Sequence, residues 1–268
     1  MSEPPRSNDE SAIVGVDFTP ATLRLVLGRL DGEILRQEEH PLPDLDSEEA
    51  WSWEVGGRIS TLFAADGGKR YALGIGVACP GTVDPVAGTI EECLANPEWE
   101  GLNVVAALRR HIDAPIVALS RVEAALRGEA AAGNASGTFD AMYVSLLDGP
   151  VAAVLSNGRI IGGASHRAGA LPAFPELELT RPLMGEDLEQ ATALLADLAA
   201  FVDPSVVIVH GLPEHADPLR PVLQRVLNEV LPGAQVAPPA LGDKAALLGA
   251  MKAAAIVAYE GERAYDES

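Results

Sequence analysis

Two stretches of this chain, about half its length apart, follow one plan. Ile13 to Phe18 is an apolar run, Thr19-Pro20-Ala21-Thr22 interrupts it, and Leu23 to Leu30 resumes with apolar residues at Leu23, Leu25 and Leu27. Asp31-Gly32 then turns and Glu33 to Arg36 returns. Later, Ala141 to Leu147 is again apolar, Asp148-Gly149-Pro150 breaks it, Val151 to Leu155 resumes, Asn157-Gly158 turns, and Arg159 to Ile161 returns. Such runs suit buried strands, and an X-Gly pair supplies the positive φ that a two-residue hairpin needs. An internal duplication constrains the fold more than any single residue does.

Each hairpin leads into strands alternating with helices. In the first half, helix is expected over Glu49 to Ala65, Val104 to His111 and Val122 to Ala132, with strands at Tyr71 to Ala78 and Pro115 to Leu119. In the second half, helices are expected over Gly185 to Phe201, Pro218 to Val230 and Gly242 to Tyr259, with a strand at Val206 to Val209. Alternation of this kind gives layered α/β architecture. The expected organisation is a disordered tail over 1–11, a first lobe over 12–120, a second over 121–259 and a flexible tail over 260–268. The last helix is a candidate to cross back to the first lobe. Two lobes imply a central cleft, where ligands tend to bind.

Composition narrows the partners. The formal charge is −20, and the only lysines are Lys69, Lys244 and Lys252. Phosphates need a basic stripe, so nucleic acid is not an expected partner. No helix-turn-helix pattern precedes the first strand. No apolar run is long enough to span a bilayer and no secretory signal is visible, so no membrane partner is expected and the cytoplasm is the expected location. The two cysteines, Cys79 and Cys93, are too few for a disulfide framework or a zinc set and read as reduced, partly buried thiols.

Several motifs carry a resemblance. Gly74-Ile-Gly-Val-Ala-Cys-Pro-Gly-Thr-Val-Asp-Pro-Val-Ala-Gly-Thr-Ile90 is followed by Asn96, Trp99 and Gly101. Leu126-Arg-Gly-Glu129, Gly162-Gly-Ala-Ser-His-Arg-Ala-Gly169 and Gly242-Asp-Lys-Ala-Ala-Leu-Leu-Gly-Ala250 come later. Together these resemble the ROK family of repressors, open reading frames and sugar kinases, from about Ile13 to Tyr259. That family has the actin-like and hexokinase-like ATPase fold. The resemblance therefore implies two duplicated ribonuclease-H-like lobes, and often a homodimer.

The resemblance also implies four devices for phosphoryl transfer, and this chain departs from each. The first phosphate loop, D-x-G-G-T, reads Asp17-Phe18-Thr19-Pro20-Ala21. Glycines there let backbone N–H groups approach phosphates, whereas proline has no N–H. Asp17 remains, to hold Mg²⁺ through water or simply to bond a turn. The second loop, G-T-G-I-G-G-G, reads Asp148-Gly149-Pro150-Val151-Ala152-Ala153-Val154, and an Asp facing phosphate repels it.

The expected general base, the Asp of E-N-D-A-N, would take the proton of the attacking sugar hydroxyl. Its position holds Arg121, which is permanently protonated. Glu123, two residues on, is a poor replacement if the segment is helical, and Arg121 is expected to pair with a carboxylate or bind an anion. The sugar clamp G-E-x-G-H reads Gly169-Ala170-Leu171-Pro172-Ala173, and the cysteine cluster that would bind zinc is absent. His166 reads as a surface loop residue. Asn96 remains a candidate sugar contact. Asp17, Gly149, Gly211 and Gly242 remain as relics of the nucleotide and phosphate side, the last two also explicable as turn and helix-start glycines. His210-Gly211-Leu212 stands where the family has G-G-G.

The expectation is a catalytically inactive, ROK-like protein that senses a sugar or metabolite or regulates a partner. It would need no cofactor and no zinc, and a small sugar is the candidate ligand. An ATP-dependent, glucokinase-like sugar kinase with an atypical site is the alternative, and ATP and Mg²⁺ belong to that reading alone. A protein–protein interaction scaffold is the third.

Overall fold

A computed structural model of the chain describes residues 11–45, 47–68, 70–147, 149–171 and 181–266. The first copy of the repeat comprises β1 (Ser11–Phe18), β2 (Thr22–Gly28), β3 (Ile34–Pro41), α1 (Glu48–Ala65), β4 (Tyr71–Cys79), α2 (Val104–Arg109), β7 (Ile116–Ser120) and α3 (Arg121–Ala132). A small hairpin, β5 (Thr82–Asp84) and β6 (Thr89–Glu92), is inserted after β4. The second copy comprises β8 (Ala141–Ser145), β9 (Val151–Ser156), β10 (Arg159–Ile160), α4 (Gly185–Val202), β11 (Val206–His210), α5 (Pro213–Val230), β12 (Gln235–Ala237) and α6 (Ala245–Asp266).

The sheets make the duplication explicit. One has the order β3-β2-β1-β4-β7 and the other β10-β9-β8-β11-β12. In both, the first three strands of the copy are antiparallel neighbours and the later strands join in parallel. The chain divides into two compact units, one of Met1–Ala124 with Ala246–Ser268, the other of Ala125–Ala245.

The ends differ from expectation. Ser11 is already the first residue of β1, and residues 1–10 of the expected tail lie outside the described residues. At the other end α6 runs on to Asp266, through most of the expected tail 260–268. An isolated glycine such as Gly261 costs a helix only about 1 kcal/mol and need not end it. Residues 267–268 lie outside the described residues. No helix among the described residues is long and apolar enough to cross a membrane.

In the first unit β1 is buried along its whole length because both faces are covered. Ala12, Val14, Val16 and Phe18 join one core with Trp51, Val55, Ile59 and Leu62 of α1 and Leu108 of α2. Those α1 residues recur at helical spacing, and each contributes roughly 1.5–3 kcal/mol by leaving water. Ser47 caps α1, its Oγ accepting from Ala50 N–H at 3.2 Å, and Glu48 and Glu49 follow in the first turn.

The opposite face of the sheet carries Ile13 and Val26 and meets α6 through Leu247, Met251 and Ala254. Here glycines set the distance. A Cβ at Gly76 would lie 1.9 Å from the Ala250 carbonyl oxygen, one at Gly74 2.5 Å from that of Ala254, and one at Gly15 2.7 Å from that of Leu247. The backbone of α6 therefore rests directly on the sheet. The G-x-G of the long motif is a packing requirement of this helix.

In the second unit, Met142, Val144, Val207 and Val209 pack beneath Leu195 of α4 and Leu219 and Leu223 of α5. Helix α5 starts at Pro213, earlier than expected, and contains Pro218. Proline at 218 cannot donate to the carbonyl of Glu214, which instead accepts the Leu183 N–H at 3.1 Å.

Candidate functional site

The hairpin register builds the site in the first unit. A tight turn at Thr19–Thr22 pairs Phe18 with Leu23 and Asp17 with Arg24. Side chains alternate along each strand, so Asp17 and Arg24 share a face. Arg24 Nη1 lies 3.4 Å from Asp17 Oδ2, and its Nε donates to Glu39 on β3 at 2.9 Å. Burial alone would lower the Arg24 pKa, but the bond to Glu39 and the charges of Asp17 and Glu39 prevail and raise it.

The other Asp17 oxygen is taken from the far side of the sheet. Arg121 is the first residue of α3, directly after β7, and its Nε donates to Asp17 Oδ1 at 2.7 Å. The Asp17 side chain has no exposed surface. The carboxylate read as a relic of magnesium binding and the arginine read in place of the base are thus brought into one ion pair.

The first loop is closed on itself. Thr19 N–H donates to Thr22 O at 2.8 Å, Pro20 has no N–H, and Thr19 Oγ1 accepts from Ala21 N–H at 3.3 Å and Thr22 N–H at 3.1 Å. Backbone donors that a glycine loop would turn toward phosphate are held within the turn, the Ala21 bond being the weaker.

Asn96 caps a short 3₁₀ turn, Pro97–Trp99, with its Oδ1 accepting from Glu98 N–H at 3.2 Å. Glu123 lies in the first turn of α3, about 200° around the axis from Arg121. Ser120 Oγ accepts the Glu123 N–H at 3.4 Å.

In the second unit, Gly149 has φ +99°. Asp148, Pro172 and Ala173 lie outside the described residues. A Cβ at Gly169 would meet the Ala152 carbonyl oxygen at 1.8 Å, so this glycine is held by strand packing. Gly242 has φ +53° and opens a 3₁₀ turn, Gly242–Lys244, that leads into α6. A Cβ at Gly211 would meet that of Leu146 at 3.1 Å.

His210 ends β11, with Nδ1 2.8 Å from the hydroxyl of buried Tyr143 and Nε2 3.3 Å from Asp243 Oδ1. With Nε2–H directed at Asp243, Nδ1 accepts a hydrogen bond from the Tyr143 hydroxyl. Glu129 is buried and both oxygens are used, accepting from Asn134 N–H at 2.7 Å and Leu241 N–H at 2.8 Å. It fixes the segment leading to Gly242.

Cys79 and Cys93 are fully buried, more than expected. Burial, reinforced by the Asp17 charge, pushes the Cys79 thiol well up from its usual range. Among the described residues no group of three or more His, Cys, Asp or Glu side chains is arranged to hold a metal ion. His166, with φ +56°, lies in the loop after β10.

Sequence reasoning missed Arg24 and the Tyr143–His210–Asp243 chain. Arg24 was recoverable, because a two-residue turn between Thr19 and Thr22 dictates the pairing with Asp17.

The paired sheets, with the same strand order and directions in each copy, define the actin-like and hexokinase-like ATPase fold. The model of the ROK family matches residues 13–171, more than half of the chain, and this protein belongs to that family. Solved structures agree on the fold. A ROK family glucokinase from Streptomyces griseus, in complex with glucose and AMPPNP, is 20% identical with a TM-score of 0.69, covering 91% of this chain and 99% of that one. A ROK hexokinase from Thermus thermophilus is 20% identical with a TM-score of 0.72, covering 93% and 100%. A ROK family transcriptional regulator, a homologue of the E. coli MLC protein, is 15% identical with a TM-score of 0.73, covering 95% and 80%. No curated protein matches the chain.

Proposed function

We propose that this ROK protein does not phosphorylate sugars and acts as a sugar-sensing or regulatory protein. The observation that carries the reading is the Asp17–Arg121 ion pair at 2.7 Å. A guanidinium cannot take a hydroxyl proton at neutral pH, and here it also occupies a carboxylate that a kinase would direct at Mg²⁺. Mg²⁺ and ATP do not fit the residues present. Asp17 is buried beneath two arginines, and the turn after it holds its N–H donors internally.

The glycines divide in the same way. Those that α6 and the strands require are present, at Gly15, Gly74, Gly76 and Gly169. Those a phosphate would require after β1 are replaced by Thr19 and Pro20. A scaffold retained while its phosphate-facing parts change fits a protein used for binding.

A thermal-shift panel of neutral hexoses, N-acetylhexosamines and Mg·ATP tests this. At a hundred times Kd a ligand adds about 2.7 kcal/mol, a rise in Tm on the order of 5 °C. A rise with a sugar and none with Mg·ATP is expected. A rise with Mg·ATP contradicts the reading, and silence throughout favours a protein-contact role instead.

A further inference from the structure

The end of the second unit away from His210 carries an open groove of about 480 Å³, where β8 and β11 begin and α4 and α5 end. Phe139, Pro204, Val230 and Leu231 line it together with Asp140 and Asp203. Phe139 is 71% exposed and Val230 52%. Phe139 is nonetheless held in place. Its carbonyl accepts the Gly158 N–H at 2.8 Å, and an added Cβ at Gly158 would stand 3.4 Å from its ring. Large apolar side chains left open around one groove mark an interaction surface.

The same groove is electronegative. Asp203 ends α4 in the left-handed conformation, φ +55°, with its N–H donating to Ala199 O at 2.8 Å. Asp140 Oδ1 accepts the Asn157 N–H at 2.9 Å. A helix C-terminus carries partial negative charge, and neither α4 nor α5 has a basic residue in its last turn to offset it. The nearby arginines pair elsewhere, Arg220 with Asp217 and Arg181 with Asp187. Among the described residues no cation forms an ion pair with Asp140 or Asp203.

We infer that this groove docks a partner protein through an arginine flanked by aliphatic residues. An arginine stem can cover Phe139 and Val230 while its guanidinium reaches Asp203, and the planar fork pairs through two hydrogen bonds with a carboxylate. Lysine would bring only a point charge, and an anionic partner would be repelled. Small ligands are mostly buried in their clefts. This groove is open along its rim, where the aliphatic neighbours of a docked arginine would cover Phe139 and Val230. The inference supplies an output surface for a regulatory protein and does not depend on sugar binding.

Selection of random peptides displayed on phage, against the full chain, tests it. Enrichment of peptides with an arginine beside Leu, Ile or Val is expected. The best of them, synthesised, should bind about tenfold more weakly to Asp203→Asn and to Phe139→Ser. It should lose binding when its arginine is replaced by glutamine, and weaken as salt is raised. Both substituted side chains are exposed, and asparagine tolerates a left-handed backbone, so both variants should melt as the unaltered chain does.

A consensus without a basic residue, binding unchanged by both substitutions, or no enrichment at all overturns the inference. Agmatine bound as tightly as the peptide overturns it too, by assigning the groove to a free amine. So does a dimer of the unaltered chain in sedimentation that Phe139→Ser dissolves, since a second copy would then fill the groove. A thermal shift with Mg·ATP, or none with any sugar, bears on the sensing reading alone and leaves this inference standing.

Discussion

Asp17 and Arg24 face each other across the β1–β2 register, and that pairing leaves one oxygen of Asp17 for a second cation. Arg121 takes it at 2.7 Å, from a residue more than a hundred positions away. Breaking a buried pair from one side leaves an uncompensated charge, which commonly costs 3–5 kcal/mol. Arg24 still neighbours Asp17, so Arg121→Ala should cost about 3 kcal/mol, at the low end of that range. Adding Asp17→Asn should recover part of the loss. Urea titrations of the two single variants and the double one give the coupling, expected to be about 2 kcal/mol. Additivity would show that the two side chains meet without consequence.

Two glycines should respond with opposite signs. Gly76→Ala drives a Cβ to within 1.9 Å of the Ala250 carbonyl oxygen, backbone that cannot step aside alone. Overpacking of this kind should cost at least about 3 kcal/mol. Gly57 lies in the exposed middle of α1 with nothing within 4 Å of an added Cβ. Gly57→Ala should stabilise by about 1 kcal/mol through helix propensity. Thermal melts of both variants check the pair.

Cysteine chemistry follows from burial. The thiolate is the reactive form, and burial raises the Cys79 pKa, so the thiolate fraction at pH 8 should fall well below that of a free thiol. Cys93 is equally enclosed. Iodoacetamide at pH 8 should label neither residue in the native protein and both in guanidinium chloride. Rapid native labelling of Cys79 would contradict its placement in the core.

Much of this architecture was legible in the sequence, because the duplicated hairpins carry strong local signals: apolar runs, X-Gly turns and strand–helix alternation. The elements that escaped are those with weak local signals. Strand β3 extends to Pro41 through Arg36, Glu38 and Glu39, charged residues that an edge strand tolerates because its outer side meets water. Strand β12, Gln235–Ala237, is too short for a period to show. At the site, Arg121 was legible as a cation where a base belongs. Its partner was not, since the pairing with Asp17 arises from tertiary packing. His210 was noticed only as a lost glycine; its bond to Tyr143 depends on the register between β8 and β11.

The central claim is that Arg121 and Asp17 hold each other where a kinase needs a base and a metal-directed carboxylate. Coupled ADP release from Mg·ATP, with glucose, mannose and N-acetylglucosamine as acceptors, tests it most directly. The unaltered chain and the Arg121→Asp variant should both read as buffer, because the variant restores one carboxylate without the loop glycines, and groups that act as a unit fail together. Sugar-dependent ADP release by the unaltered protein, clearly above the rate without sugar, would contradict the account.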